Sequence, residues 1–197
     1  IVSTSNKLQT TLHADSDASG EGNVMLMHRS VVTTNGGTLT IGGGLDPAAN
    51  PAQGIAGATT TSPGVSLVST TITTAGGAVS IRGQGAASSG GIGVLCNVSA
   101  GSVNGSLSTG AGNVAIVGTG GNTTVNTHGF LLLGNPTAPA LSSSISTTSG
   151  SIAINGAAGG GSNDFLRISS LGSITSGSGN INFTASIAGQ TLMMNPA

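Results

Sequence analysis

The sequence is poor in the groups that carry chemistry. Of its 197 residues, four are Lys or Arg, five are Asp or Glu, one is Cys, and none is Trp or Tyr. Charged residues make up 5 % of the chain, against roughly 25 % in an ordinary domain. The basic residues Lys7, Arg29, Arg82 and Arg167 are scattered. Phosphate binding needs a clustered basic surface, so a nucleic-acid partner is not expected. No apolar run approaches the roughly 20 residues of a spanning helix. FLLLG at 130–134 is far too short, and no membrane insertion is expected. Cys96 has no second cysteine to pair with. In the run GIGVLCNVS it reads as a small buried apolar residue, since no basic neighbour is there to activate a thiolate.

Catalytic groups are equally thin. Hydrolysis or lysis of a polysaccharide needs paired carboxylates, or carboxylates with a basic group on one face. The acids are Asp15, Asp17, Glu21, Asp46 and Asp164, and three of them crowd one short stretch. Asp164 and Arg167 share a strand-like segment and read as a structural pair. His13, His28 and His128 lack metal-ligand spacing. Phe130, Phe165 and Phe183 fall at core-like positions and leave no aromatic to stack a sugar. The chain reads as non-enzymatic.

What is abundant is glycine, at 35 residues, together with Ser, Thr and regularly spaced Val, Ile and Leu. Disorder goes with low hydropathy and high net charge, whereas this chain has a net charge of −1. Helix is a poor rival, because Gly and β-branched residues dominate and no 3.6-residue stripe occurs. A phrase recurs instead. TITTAGGAVSIRGQG at 71–85 has close copies at 31–44, 106–121, 145–160 and 174–185. Each copy carries strict apolar alternation, as in Val79-Ser80-Ile81 and Val114-Ala115-Ile116, the mark of a strand with one buried face. A second family of short apolar runs lies between: GVSL at 64–67, GVLC at 93–96, GFLL at 129–132 and DFLRI at 164–168.

Interleaving the two families places anchors at Val24, Leu39, Val65, Val79, Val94, Val114, Phe130, Ile152, Phe165 and Ile181. Neighbouring anchors average about 17 residues apart, which suits one coil of a parallel β-solenoid. The expectation is an all-β single domain over residues 1–197, with about ten coils averaging about 17 residues. A larger coil of about 35 residues is the alternative register. Gly pairs such as Gly36-Gly37 and Gly76-Gly77 are expected at corners with positive φ. The wider gaps, 45–64 and 132–144, hold prolines and are expected to protrude as loops. The chain opens at Ile1 in mid-pattern and closes on MMNPA; the expectation is a segment of a longer or processed chain.

One stretch has the look of a ligand site. DSDASGEG at 15–22 is similar to the first half of a calcium loop, with oxygens from Asp15, Asp17 and Ser19 and a turn at Gly20. The acid expected at the twelfth position is absent, since Leu26 stands there. The stretch is read either as a weak calcium site or as a polar corner built on Asx turns.

ADSDASGEGNVML at 14–26, NGGTLTIGGG, the TITTAGGAVSIRGQG phrase and LGSITSGSGNINFTA together resemble the repeats of filamentous-haemagglutinin-type proteins. The likeness covers nearly the whole chain from about residue 10. It implies a right-handed parallel β-helix, export to the bacterial cell surface or beyond, and adhesion or fibre formation. That family's secretion-signal domain is not evident in the sequence. The implied partners are other segments or copies of the protein, stacked end to end or laterally, and a surface glycan or receptor. The readings left open are an adhesive module, a subunit of a self-assembling fibre or surface layer, and a carbohydrate-binding or carbohydrate-cleaving β-helix.

Overall fold

The computed structural model describes residues 1–57, 61–87, 90–122, 127–137, 140–160, 164–169 and 171–195. Among them there is no helix, and 18 strands are formed. In chain order they are β1 (Thr10–Ala14), β2 (Val24–Leu26), β3 (Val31–Thr33), β4 (Leu39–Gly43), β5 (Ala52–Gln53) and β6 (Val65–Val68). Then come β7 (Thr71–Thr73), β8 (Val79–Gln84), β9 (Val94–Asn97), β10 (Gly105–Ser108), β11 (Val114–Thr119) and β12 (Phe130–Leu132). The last six are β13 (Ser143–Thr147), β14 (Ile152–Ala157), β15 (Asp164–Ile168), β16 (Gly172–Ser176), β17 (Ile181–Ala185) and β18 (Thr191–Met194).

They form three parallel sheets. An alternating sheet runs β1-β4-β8-β11-β14-β17, with β5 added beside β8. A Thr-rich sheet runs β3-β7-β10-β13-β16, and a Leu-rich sheet runs β2-β6-β9-β12-β15-β18. The chain visits the sheets in turn, so each round lays a strand on its counterpart from the round before. This is the parallel β-solenoid architecture anticipated from the repeats.

The pairing changes the repeat length. Val79 pairs with Leu39 on one side and with Val114 on the other. Val94 pairs with Val65 and with Phe130. Partners differ in residue number by between 26 (Leu166 with Leu192) and 41 (Val24 with Val65). The anchors spaced about 17 apart therefore do not stack on their neighbours. They alternate between two sheets, and the ladder follows the longer register of about 35 residues. The longest path through one sheet holds six strands, about 24 Å in the hydrogen-bonding direction. The 17-residue expectation failed because two strands of one round share an apolar signature, while the third, Thr-rich one is nearly silent.

A smaller correction concerns Phe165. The register shifts between Asp164 and Leu166, and Leu166 is the partner of Phe130. The bulge lets Phe165 and Leu166 both enter the core.

The interior is a set of columns. Leu39, Val79, Val114 and Ile152 stack in register, as do Ile41, Ile81, Ile116 and Ile154, and all are buried. Val32, Ile72, Leu107 and Ile145 form the matching column of the Thr-rich sheet. Cys96 fills a core place between Leu67 and Leu132. Each such side chain contributes about 1.5–3 kcal/mol by leaving water.

Corners are built by a Thr-x-x-Gly unit. The buried hydroxyls of Thr34 and Thr147 donate to the carbonyls of Gly37 and Gly150, each at 2.6 Å, and the buried hydroxyls of Thr74 and Thr109 donate to the carbonyls of Gly77 and Gly112. The two glycines of Gly76-Gly77 have different duties. Gly76 has φ +109°, as expected for a corner. Gly77 is required by closeness: a Cβ there would run into the carbonyl of Gly37. The same contact recurs from Gly112 to Gly77, Gly150 to Gly112 and Gly179 to Gly150.

Candidate interaction sites

The expected calcium ligands do come together, and their oxygens face backbone donors. Ser19 N–H donates to Asp15 Oδ1 at 3.0 Å and to Asp17 Oδ1 at 3.3 Å, and Gly20 N–H reaches both Asp15 oxygens at 3.3 Å. The Ser19 hydroxyl also donates to Asp15 Oδ1. Asp15 and Ala18 take φ near +50° to close the loop. The Ser19 side chain, helped by its N–H, holds the Asp17 carboxyl below its ordinary value. This is Asx-turn chemistry. A calcium ion would compete with those N–H groups for the same oxygens. Among the described residues, no group of three or more His, Cys, Asp or Glu side chains is placed to hold a metal.

The loop at 45–64 protrudes less than its prolines suggested. Ala52 and Gln53 return to the sheet as β5, paired with Gly83 and Gln84. Ala56 N–H donates to Glu21 Oε2 at 2.8 Å, and Gly22 and Gln53 exchange backbone hydrogen bonds. Arg82 Nε donates to the Ala48 carbonyl. These ties leave an open polar cleft of about 540 Å³ whose lining includes Asp15, Glu21, Asn50, Gln53 and Gln84. Residues 58–60 of this loop lie outside the described residues. In the loop at 132–144, Asn135 and Leu141 pair, and Asn135 Oδ1 accepts from the Thr137 N–H and hydroxyl; 138–139 lie outside the described residues.

Asp164 and Arg167 were expected to pair. Asp164 Oδ1 accepts the Thr191 hydroxyl at 2.7 Å, and the buried Arg167 Nε makes no hydrogen bond.

The most conspicuous surface is the last round. In β14 the inward residues Ile152 and Ile154 are fully buried. Their register partners in β17 are Ile181, 37 % exposed, and the partly buried Phe183. Leu166 is fully buried, while its partner Leu192 is 41 % exposed; Ile168 is 9 % exposed and its partner Met194 57 %. The solenoid interior opens there as a cleft of about 560 Å³, lined by Ile168, Leu171, Ile174, Ile181, Phe183 and Met194. β16, β17 and β18 are edge strands of their three sheets. The first round is partly covered: Val2 bridges Thr33, and Ile1 and Ser3 hydrogen-bond the backbone of Val31 and Thr33. The sequence repeat conceals this asymmetry, because β16 and β17 carry apolar residues at the same register positions as their buried counterparts β13 and β14.

Comparison with protein-family models, with curated proteins and with solved structures finds no match to this chain. Its functional reading therefore rests on its own geometry and on the repeat likeness. No described helix is long and apolar enough to cross a membrane.

Proposed function

We propose that the chain is a non-enzymatic structural and adhesive module of a secreted bacterial cell-surface protein. It is a stiff right-handed β-solenoid that extends by stacking its open end on another parallel round. The observation that carries this is the end formed by β16, β17 and β18, where three edge strands surround an exposed apolar interior. Exposed strand edges recruit further strands, and an apolar solenoid round is stabilised by a neighbouring round. The resemblance to filamentous-haemagglutinin repeats supports the handedness, the surface location and the adhesive role. A fibre or surface-layer subunit is the same physics with a second copy as the neighbour.

The experiment is electron microscopy of the purified chain across a concentration series, with and without calcium. End-to-end rows that lengthen with concentration support stacking. Single short rods at every concentration contradict it for free copies. The polar cleft beside Asp15 and Glu21 favours a second reading, carbohydrate binding by the loops. A glycan array separates the two, because glycan binding without end-on association would support only the second.

A further inference from the structure

A solenoid strand normally shows one face to solvent. The middle of the Leu-rich sheet does not. Its outward row runs in register through Met25, Ser66, Leu95, Leu131, Arg167 and Met193. Ser66, Leu95 and Leu131 are buried although they point away from the core. Leu95 and Leu131 pack with Ile92 and Leu133 into a second apolar cluster, separate from the main core. Beside that cluster lies an open cleft of about 500 Å³, completed by Thr61, Asn97, His128 and Arg167. The volume and the mix of aliphatic walls with a few polar groups are those of a small-molecule site, which runs from roughly 300 to 1,000 Å³.

The polar groups are not equivalent. His128 is buried, and loss of hydration holds its imidazole below its ordinary value, so it is neutral at pH 7; Asp164 only partly opposes this. Arg167 is the remaining cation on the wall, and its buried Nε has no hydrogen-bond partner. The Arg167 side chain lines the cleft, and a guanidinium is matched best by a planar two-oxygen anion. Along the row, Leu131 and Leu95 follow Arg167 at one and two strand spacings, about 10 Å in all. No aromatic lines the cleft.

We propose that this outer face of the Leu-rich sheet binds a small aliphatic carboxylate, its head on Arg167 and its chain along Leu131 and Leu95. The site is independent of end-on stacking, and either can fail alone.

The test is isothermal titration of the whole chain with decanoate, and with decanol as the uncharged control, both below their aggregation concentrations. Decanoate is expected to saturate at one site and to bind at least about tenfold more tightly than decanol, the size of one charge-assisted hydrogen bond. Arg167→Gln, checked for an unchanged melting temperature, is expected to bring decanoate down to the level of decanol. Should that variant unfold, Arg167→Lys retains a charge without the fork, and an intermediate affinity is expected. No saturable binding overturns the proposal. So does decanoate binding no tighter than decanol, or a preference that survives in Arg167→Gln.

Discussion

The carbonyl oxygen of Gly37 occupies the space where a Cβ on Gly77 would stand. That contact joins two successive rounds backbone to backbone, and no side-chain rotation can relieve a clash there. Gly77→Ala is therefore expected to cost about 3 kcal/mol or more, as an overpacked site without slack. Its neighbour is the control. Gly76 has positive φ, but a Cβ there meets nothing within 4 Å, so Gly76→Ala carries backbone strain of about 1–2 kcal/mol only. Urea unfolding of the two variants checks the order. A milder effect at Gly77 would mean that the rounds are not in contact at this corner.

The threonine of the same corner is buried for its hydroxyl. Thr74 donates to Gly77 and is fully buried. Thr74→Val keeps the shape and leaves the Gly77 carbonyl without that donor, a loss of about 1–3 kcal/mol. The same substitution at the exposed end of β11, Thr119→Val, is expected to fall within about 0.5 kcal/mol. Equal effects at the two sites would show that the Thr-x-x-Gly bond contributes nothing.

Cys96 lies in a core column, and burial pushes its thiol up to about 12, from 9.0. Between those values the unfolded chain ionises and the folded chain does not. Stability attributable to the thiol is thus fully present below pH 9 and is lost as pH rises toward 12, by about 1.4 kcal/mol per pH unit at most. Cys96→Ala, compared with the parent over pH 8 to 11, should remove that part of the slope. Native thiol at pH 8.5 should resist iodoacetamide and react on unfolding. Rapid labelling of the folded chain would place Cys96 outside the core.

His128 works in the opposite direction. Burial lowers its imidazole from 6.5, with Asp164 opposing. Its neutral form is the folded one, so the contribution is present above pH 6.5 and is lost as pH falls below it, when the unfolded chain alone takes up the proton. His128→Gln is expected to flatten the stability profile between pH 6.5 and 5, read by thermal melts. An unchanged profile would remove the imidazole from the buried set.

The sequence showed strand and turn plainly, because alternation such as Val79-Ser80-Ile81 is a local signal, and parallel stacking was inferred from the recurrence of the phrase. It did not show the number of strands per round. Val65 and Val79 look alike as anchors, and only the pairing puts them on different sheets. The Thr-rich strands carry a single inward apolar residue each, such as Ile72 in TIT, too little for a periodic signal. The second apolar cluster did leave a trace. GVLC and GFLL are unbroken apolar runs, and unbroken runs mark strands covered on both faces. Asp15, Asp17 and Ser19 were found as a group, whereas the cleft beside Arg167 joins residues from 61 to 167 that no spacing links.

The central claim is that the round of β16, β17 and β18 is an assembly surface. Sedimentation velocity of the parent chain and of Ile181→Asp, each over a hundredfold concentration range, tests it most directly. The account predicts that the parent's sedimentation coefficient rises with concentration, while the variant, with a charge set in the open end, stays at the monomer value and melts at nearly the same temperature. A parent that remains monomeric throughout, or a variant that associates as the parent does, would contradict it.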